Sequence, residues 1–363
     1  MVSTEDRKDI LLVNRYRLSL SKPPQSFFRV VALLFYEEVN EKLKQSSKLP
    51  PWVPQRTDDG RSYIVGTNDE PGFMGGSICA ERSTIVQLRF LPSARVTKLV
   101  ICTDSTEPIA PGMLCREFMA GHDCIPWDLR IISTGCKCTQ CDKRDGDLFM
   151  DDGIKEGCVD GIPILDTTLR ALYPYPSPYT RCNSSQSVSF GETYSQSTSS
   201  ILLTESKSDP WKQLLKMATK EASANISENH PIQFGAAVSF ADGTFATSRQ
   251  ISALEYGCSL DAVSQLAPHF RGKEPHLLVQ VDQYGVAHSP FAPARAFLSE
   301  NENYKDCKIL VHTTGASANA EDAANLASWS LTIISVSDLA PNAPDWTSST
   351  PEREHIKKKI RQI

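Results

Sequence analysis

The chain has 363 residues, 40% of them apolar and 22% charged, with a formal net charge of −5. That composition belongs to a globular protein, and the length gives room for two domains with separate cores. The acidic balance excludes a global attraction to nucleic acid or to an anionic membrane, and no apolar run reaches the ~20 residues of a membrane helix. Met1 to Asp9 is polar and charged, so no signal peptide is expected, and the expected compartment is the cytosol, or else the nucleus. The 11 cysteines are odd in number, which in a reducing compartment reads as thiols and metal ligands before disulfides.

Residues 1–25 are polar, end in Lys22-Pro23-Pro24, and read as an extension with little core. From Ser26 as cap, the apolar face of Phe27, Val30, Val31, Leu34, Val39 and Leu43 predicts a helix, ended by Leu49-Pro50-Pro51. Asp58-Asp59-Gly60 between Trp52-Val53 and Arg61–Val65 predicts a hairpin. A Gly-rich loop at Gly66-Thr67-Asn68-Asp69-Glu70 follows. Next comes a helix that Ser77 can cap, with Ile78, Ile85, Val86 and Phe90 on one face. Val96–Ile101 reads as a buried strand, Pro111–Met119 as a helix, Trp127–Ser133 as a strand and Asp166–Leu172 as a short helix. Alternation of helices and strands predicts an α/β fold with a mixed sheet covered by helices.

Residues 136–158 form a polar insertion rich in Asp, Gly and Cys, and 182–208, dominated by Ser and Thr, read as a flexible linker. A second unit then repeats the order of the first: helix 211–224, a hairpin at Ala241-Asp242-Gly243, helix 252–267, strand 276–281, helix 292–299, strand 308–312 and a final element at 331–339. Both units carry an Asp-Gly hairpin, a cysteine at the second helix (Cys79, Cys258) and a proline at the third (Pro111, Pro290). The expected organisation is therefore an extension (1–25), a first domain (26–181), a linker (182–208), a second, duplicated domain (209–346) and a charged tail (347–363).

The chemistry centres on Gly76-Ser77-Ile78-Cys79-Ala80-Glu81-Arg82. A thiol in a first helical turn is biased toward thiolate, the form that binds zinc, and a nearby carboxylate can move protons for a metal-bound water. Cys79-Ala80-Glu81-Arg82, with Asn68 eleven residues before Cys79 in Gly66–Glu70, and Pro111–Arg116 about thirty residues on, resembles the signature of the cytidine deaminase family. The resemblance covers both units and is similar to the larger, homodimeric two-unit members whose second unit is degenerate. It implies tandem three-layer α/β/α units and zinc-dependent deamination of a cytidine-type nucleoside to uridine and ammonia. It also implies Glu81 as proton shuttle, Asn68, Glu70 and Ala80 as substrate-binding residues, Cys79 and Cys115 as zinc ligands, and Arg82 and Arg116 as partners of the thiolates.

Gly112 departs from the pattern: it stands where the family has a third metal-binding cysteine. Cys102 and Asp104, at the end of the central strand, are the candidate substitutes. In the second unit Leu260 is read at the position of the shuttle, Phe291 and Ala294 replace the paired cysteines, and Thr247 and Arg249 stand for Asn and Glu. That unit is expected to pack or dimerise, not to catalyse. A separate structural zinc site is read at Cys136, Cys138, Cys141 and Cys158, with Cys124 or His122 as other fourth ligands. Two alternatives stand beside the enzyme: a catalytically impaired pseudo-deaminase acting as a binding or assembly module, and a subunit of a nucleic-acid-editing complex. The expected partners are a pyrimidine nucleoside and a second copy of the chain, not nucleic acid or a membrane.

Overall fold

The computed structural model describes residues 3–39, 55–136, 161–203, 209–224, 230–253, 259–313 and 329–343. They form two compact units, the first reaching Leu172 and the second running from Tyr173 to Ala343. Both are mixed α/β, each built on a six-stranded mixed sheet. Among the described residues no helix is long and apolar enough to cross a membrane.

The first sheet runs β2-β3-β1-β4-β5-β6, where β1 is Val30–Glu38, β2 Gln55–Arg56, β3 Ser62–Thr67, β4 Ala94–Thr103, β5 Arg130–Thr134 and β6 Ile164–Thr168. Only β4 and β5 pair in parallel. The predicted hairpin is present, with Gly60 at φ 85° in its turn, a conformation that needs glycine. The run after Ser26 is strand β1, not a helix. Its burial is nearly continuous, and a stretch flanked by partners on both edges and covered on both faces loses the alternation that marks a strand. Asp166–Leu172 likewise splits into β6 and a single turn, α4 (Leu169–Leu172).

Helices cover both faces. On one, Ile10 and Val13 of α1 (Thr4–Ser19) pack with Val31, Leu33, Phe35, Tyr63 and Val100. On the other lies α2 (Ala80–Ile85): a Cβ at Gly66 would come within 2.6 Å of Ala80 O and Thr84 Cγ2. The extension expected at residues 1–25 is thus a core element. Its polarity hides this, because α1 docks largely through charge. Asp6 and Asp9 are buried and meet Lys98 of β4, with Arg61, just ahead of β3, on Asp9 (2.8 Å) and Arg130 of β5 on Asp6 (3.0 Å). Arg17, fully buried, pairs with Asp104 and donates to Asn14 Oδ1 at 2.9 and 3.0 Å.

The second sheet runs β12-β11-β9-β7-β8, with β10 off β9. Here β7 is Phe234–Phe240, β8 Phe245–Arg249, β9 Pro275–Asp282, β10 Ala287–His288, β11 Lys308–Thr313 and β12 Ser330–Ser335. Its helix α6 (Pro210–Ser223) takes the place of α1. The duplication extends to the register: β1–β4 and β7–β9 are antiparallel with a bulge at the same point, Phe35/Tyr36 and Ser239/Phe240. Expected linker residues 184–203 form a helix, α5, whose Val188, Phe190 and Tyr194 pack on the second core. Serine has only a modest disadvantage in a helix, and the packing of these apolar side chains overrides it.

The ion network under α1 makes a direct prediction. Lys98→Met leaves two buried carboxylates short of a counter-charge. It should lower the unfolding free energy of the first unit by about 3 kcal/mol. In a urea titration the transition of the first unit should move to lower urea while that of the second stays in place.

Candidate active and metal site

Three groups of the first unit converge. Cys79 is the N-cap residue of α2, and Glu81 lies in that helix's first turn. Cys115 lies in the first turn of α3 (Met113–Ala120), whose N-cap is Gly112. Ser77 is not the cap; the helix begins two residues later than its spacing predicts, and a 3-10 turn at Val86–Phe90 continues it. The Cys79 and Cys115 sulfurs and a Glu81 carboxylate oxygen all lie within 4.8 Å of one another. Glu81 is 5% exposed and Cys115 is fully buried.

Gly112 is exposed and offers no donor atom. Beyond its chain neighbours, no described heavy atom lies within 4 Å of where a Cβ would sit there, so the space is open on the N-cap of α3. Neither sequence-predicted substitute fills it. Among the described residues no further His, Cys, Asp or Glu joins the three. Cys102 is buried on the α1 side of the sheet, 3.8 Å from Asn14 Oδ1. Asp104 is held by Arg17 and by Arg29, whose backbone N–H and Nε lie 2.8 and 3.0 Å from its Oδ2. Each belongs to the docking of α1.

The electrostatics of the pocket follow from its donors. The Cys79 thiol is held down to about 6, first by the hydrogen bond from Cys115 and then by Arg82, whose Nη2 lies 3.7 Å from its sulfur. The same contact with Cys79, with burial, raises Cys115 well above an ordinary thiol. The pair therefore shares one proton, with the thiolate on the side of the arginine. Burial first, and the Cys79 thiolate second, push Glu81 up to about 7.

Arg82 and Arg116, read as equals from the sequence, have different duties. Arg116 is fully buried and donates from Nε to Pro111 O (2.7 Å) and from Nη1 to Leu172 O (2.7 Å). It ties the loop that carries Gly112 to the end of the unit. Asn68 and Glu70 also have local partners. Asn68 accepts from Val30 N–H (2.8 Å) and donates to Phe28 O (2.9 Å), while Glu70 accepts from the N–H (2.8 Å) and Oγ–H (2.6 Å) of Ser26. They brace the 26–30 segment beside β1. The sequence reading missed Ser26 as their partner, having placed it as a helix cap. Ala80 is buried, its backbone oxygen against the sheet face at Gly66. Of the separate cysteine cluster, Cys136 is half-buried, its N–H 2.6 Å from Ser105 O; Cys138, Cys141 and Cys158 lie outside the described residues. His122 has its Nδ1 2.7 Å from Phe118 O, and Cys124 is half-buried.

The register of the second unit reassigns its counterparts. The bridge Asp69–Ile78 recurs as Ile251–Leu260, and the bond Asn68 N–H to Val30 O recurs as Gln250 N–H to Phe234 O. Gln250 thus corresponds to Asn68 and Ser252 to Glu70, not Thr247 and Arg249. Asp261 corresponds to Cys79 and Val263, not Leu260, to Glu81. Cys258 lies outside the described residues. Phe291 caps α7 (Ala292–Ser299) where Gly112 caps α3, and Arg295 repeats Arg116, reaching Pro290 O (2.8 Å) and Leu339 O (3.3 Å). No set of three metal donors occurs in this unit among the described residues.

No family model and no curated protein matches the chain. Solved structures that match include cytidine deaminases, the family that the motifs resemble. That from Mycobacterium tuberculosis is 22% identical, covering 37% of this chain and 97% of its own, with a TM-score of 0.29. That from Mycobacterium leprae is 19% identical (37% and 98%, TM-score 0.29), and that from Burkholderia pseudomallei 20% identical (46% and 93%, TM-score 0.29). Likeness at this level says nothing of chemistry; what the pocket can do follows from its own side chains.

In chelator-treated protein, one thiolate should appear in the ultraviolet thiolate band with a midpoint near 6 as pH rises, well below the ~8.5 of an unperturbed cysteine. Cys79→Ser should remove this step, and Arg82→Gln should move it to higher pH.

Proposed function

We propose that the first unit is a metal-binding pocket of the cytidine deaminase type that binds a pyrimidine nucleoside and has lost efficient turnover. One observation carries this reading: the cluster holds Cys79, Cys115 and Glu81, and among the described residues no further donor stands near the open space at Gly112. Two thiolates and a carboxylate make an acceptable donor set for a zinc-like cation, with Arg82 offsetting part of the negative charge. Such an ion, when bound, supplies a Lewis-acidic charge. But a carboxylate that serves as a ligand has given up the lone pair with which it would take a proton. Gly112 thus forces Glu81 to choose between holding the metal and moving protons.

A second reading is favoured by the state of Glu81 itself. A carboxyl brought to about 7 is suited to proton transfer at neutral pH. With Cys79 and Cys115 alone as protein ligands, Glu81 would remain the shuttle of a slow cytidine deaminase.

Zinc affinity and ammonia release from cytidine, measured for wild type, Glu81→Gln and Gly112→Cys, separate the two. As a ligand, Glu81→Gln should weaken zinc binding by tenfold or more; as a shuttle, it should spare zinc and abolish ammonia release. Gly112→Cys should tighten zinc about 100-fold, taking roughly 3 kcal/mol as one ligand's share of a structural site. It should also release Glu81 and raise ammonia release above wild type. Wild-type turnover that Gly112→Cys leaves unchanged would refute the proposal.

A further inference from the structure

The second unit gathers a different set of polar side chains, at the C-terminal end of β9. Asp282 ends that strand and is fully buried. Its Oδ1 accepts the N–H groups of Tyr284 and Val286, both at 2.9 Å, and its Oδ2 accepts the Tyr179 hydroxyl at 2.7 Å. The same Oδ2 lies 3.3 Å from Nε2 of His288, also fully buried, in β10. The other ring nitrogen, Nδ1, lies 2.8 Å from Oγ of Ser177.

The tautomer follows from the partners. An ionised carboxylate only accepts, so the proton sits on Nε2 and the lone pair of Nδ1 faces the serine hydroxyl. Tyr179 N–H, 3.2 Å from the Ser177 oxygen, occupies that oxygen as a donor, which leaves the hydroxyl proton for the imidazole. Serine, histidine and aspartate are thus ordered as nucleophile, base and orienter. The oxygen of this relay is on the half-buried member, and the two groups behind it are shielded.

The surroundings point the same way. Ser177 sits on a loop with two non-glycine residues in the left-handed region, Tyr175 at φ 52° and Arg181 at φ 66°. Such conformations are uncommon for residues with a side chain and gather where a side chain must be aimed. The buried Arg295 holds the loop, donating to Pro174 O at 3.0 Å and Tyr175 O at 2.7 Å. Beside His288, its register partner Gln280 and its neighbour Ser289 keep buried Oε1 and Oγ atoms with no hydrogen-bond partner among the described residues. A network serving only to satisfy buried groups needs neither the strained loop nor two orphaned polar atoms.

We propose that Ser177, His288 and Asp282 form an acyl-transfer site that accepts neutral, apolar esters. The rings of Tyr179 and Phe234 stand edge-on to His288, 4.8 and 5.2 Å away, and disfavour a charged acyl group. Ser177 Oγ bonds to the ester carbonyl carbon while its proton passes to His288 Nδ1. The ester C–O bond then breaks, and the leaving alkoxide takes that proton and departs as the alcohol. Water repeats the sequence on the acyl-serine, giving its proton to Nδ1 and releasing the carboxylic acid as serine recovers its own. Asp282 is a positioning residue that fixes the tautomer and offsets the imidazolium.

The test uses the full chain and a fluorophosphonate probe, read by intact mass and peptide mapping. One adduct on Ser177 is expected, absent in Ser177→Ala and formed at least about 100-fold more slowly in His288→Gln. Asp282→Asn should slow labelling and abolish the far-downfield imidazole N–H proton resonance. If the variants do not fold, wild type alone decides: Ser177 must be labelled in native protein and spared in urea. No adduct on Ser177, equal labelling in urea, or a folded His288→Gln labelled at the wild-type rate would each overturn the proposal.

Discussion

A guanidinium does not lose its charge inside a protein, so an arginine shut off from water must be met by acceptors in fixed places. Arg116 is in that position, and it draws in Pro111 O ahead of α3 and Leu172 O at the end of the first unit. The segment so tied carries Gly112 and Cys115, which sets Cys115 against Cys79 and Glu81. Arg295 does the same in the second unit through Pro290 O and Leu339 O. The clamp grips backbone oxygens, so it is indifferent to the side chains between them. That indifference lets one framework hold two quite different interiors.

In the first unit the framework holds charge. A thiolate, a second thiol and a carboxyl near neutrality share a volume with one arginine, an arrangement that a metal would stabilise. In the second unit the positions that match Glu81 and Cys115 have become core. Val263 and Ala294 are fully buried among apolar neighbours, and Phe291 stands edge-to-face with Phe234 at 4.9 Å. A polar group of that unit lies instead around Asp282 and His288, and the clamp steadies the loop that brings Ser177 to it, through Pro174 and Tyr175.

The sequence made the pocket legible because its signal is local. Cys79 and Glu81 are two residues apart, and the spacing to Cys115 rests on one strand and one loop. The duplication was legible for a similar reason, in matched hairpins and prolines. What escaped were features decided at long range. Strand β1 reads as a helix because both its faces are buried, and α1 reads as a tail because it binds the sheet through Asp6, Asp9 and Arg17. The counterparts of Asn68, Glu70 and Glu81 in the second unit slipped by three residues because strand register, not motif spacing, fixes them. The relay at Ser177 could not be read at all: its members lie 111 and 6 residues apart and join only in the fold.

The two units also differ in how each has lost the third metal position. At Phe291 the position is filled by an aromatic ring packed against β7, and the counterparts of Glu81 and Cys115, Val263 and Ala294, are apolar, while that of Cys79, Asp261, is tied to Ser264. Restoring a site there would mean burying several polar groups at once, each at a cost of kilocalories unless all found partners together. At Gly112 nothing described has moved in: beyond the chain neighbours no atom lies within 4 Å of the missing Cβ, and the backbone keeps the extended geometry of a helix cap. Gly112 is exposed, so the space of the missing Cβ is open to solvent and there is no void whose collapse would recover packing energy. The first unit has lost a donor atom while keeping the geometry around it, whereas the second has lost the geometry of the site as well.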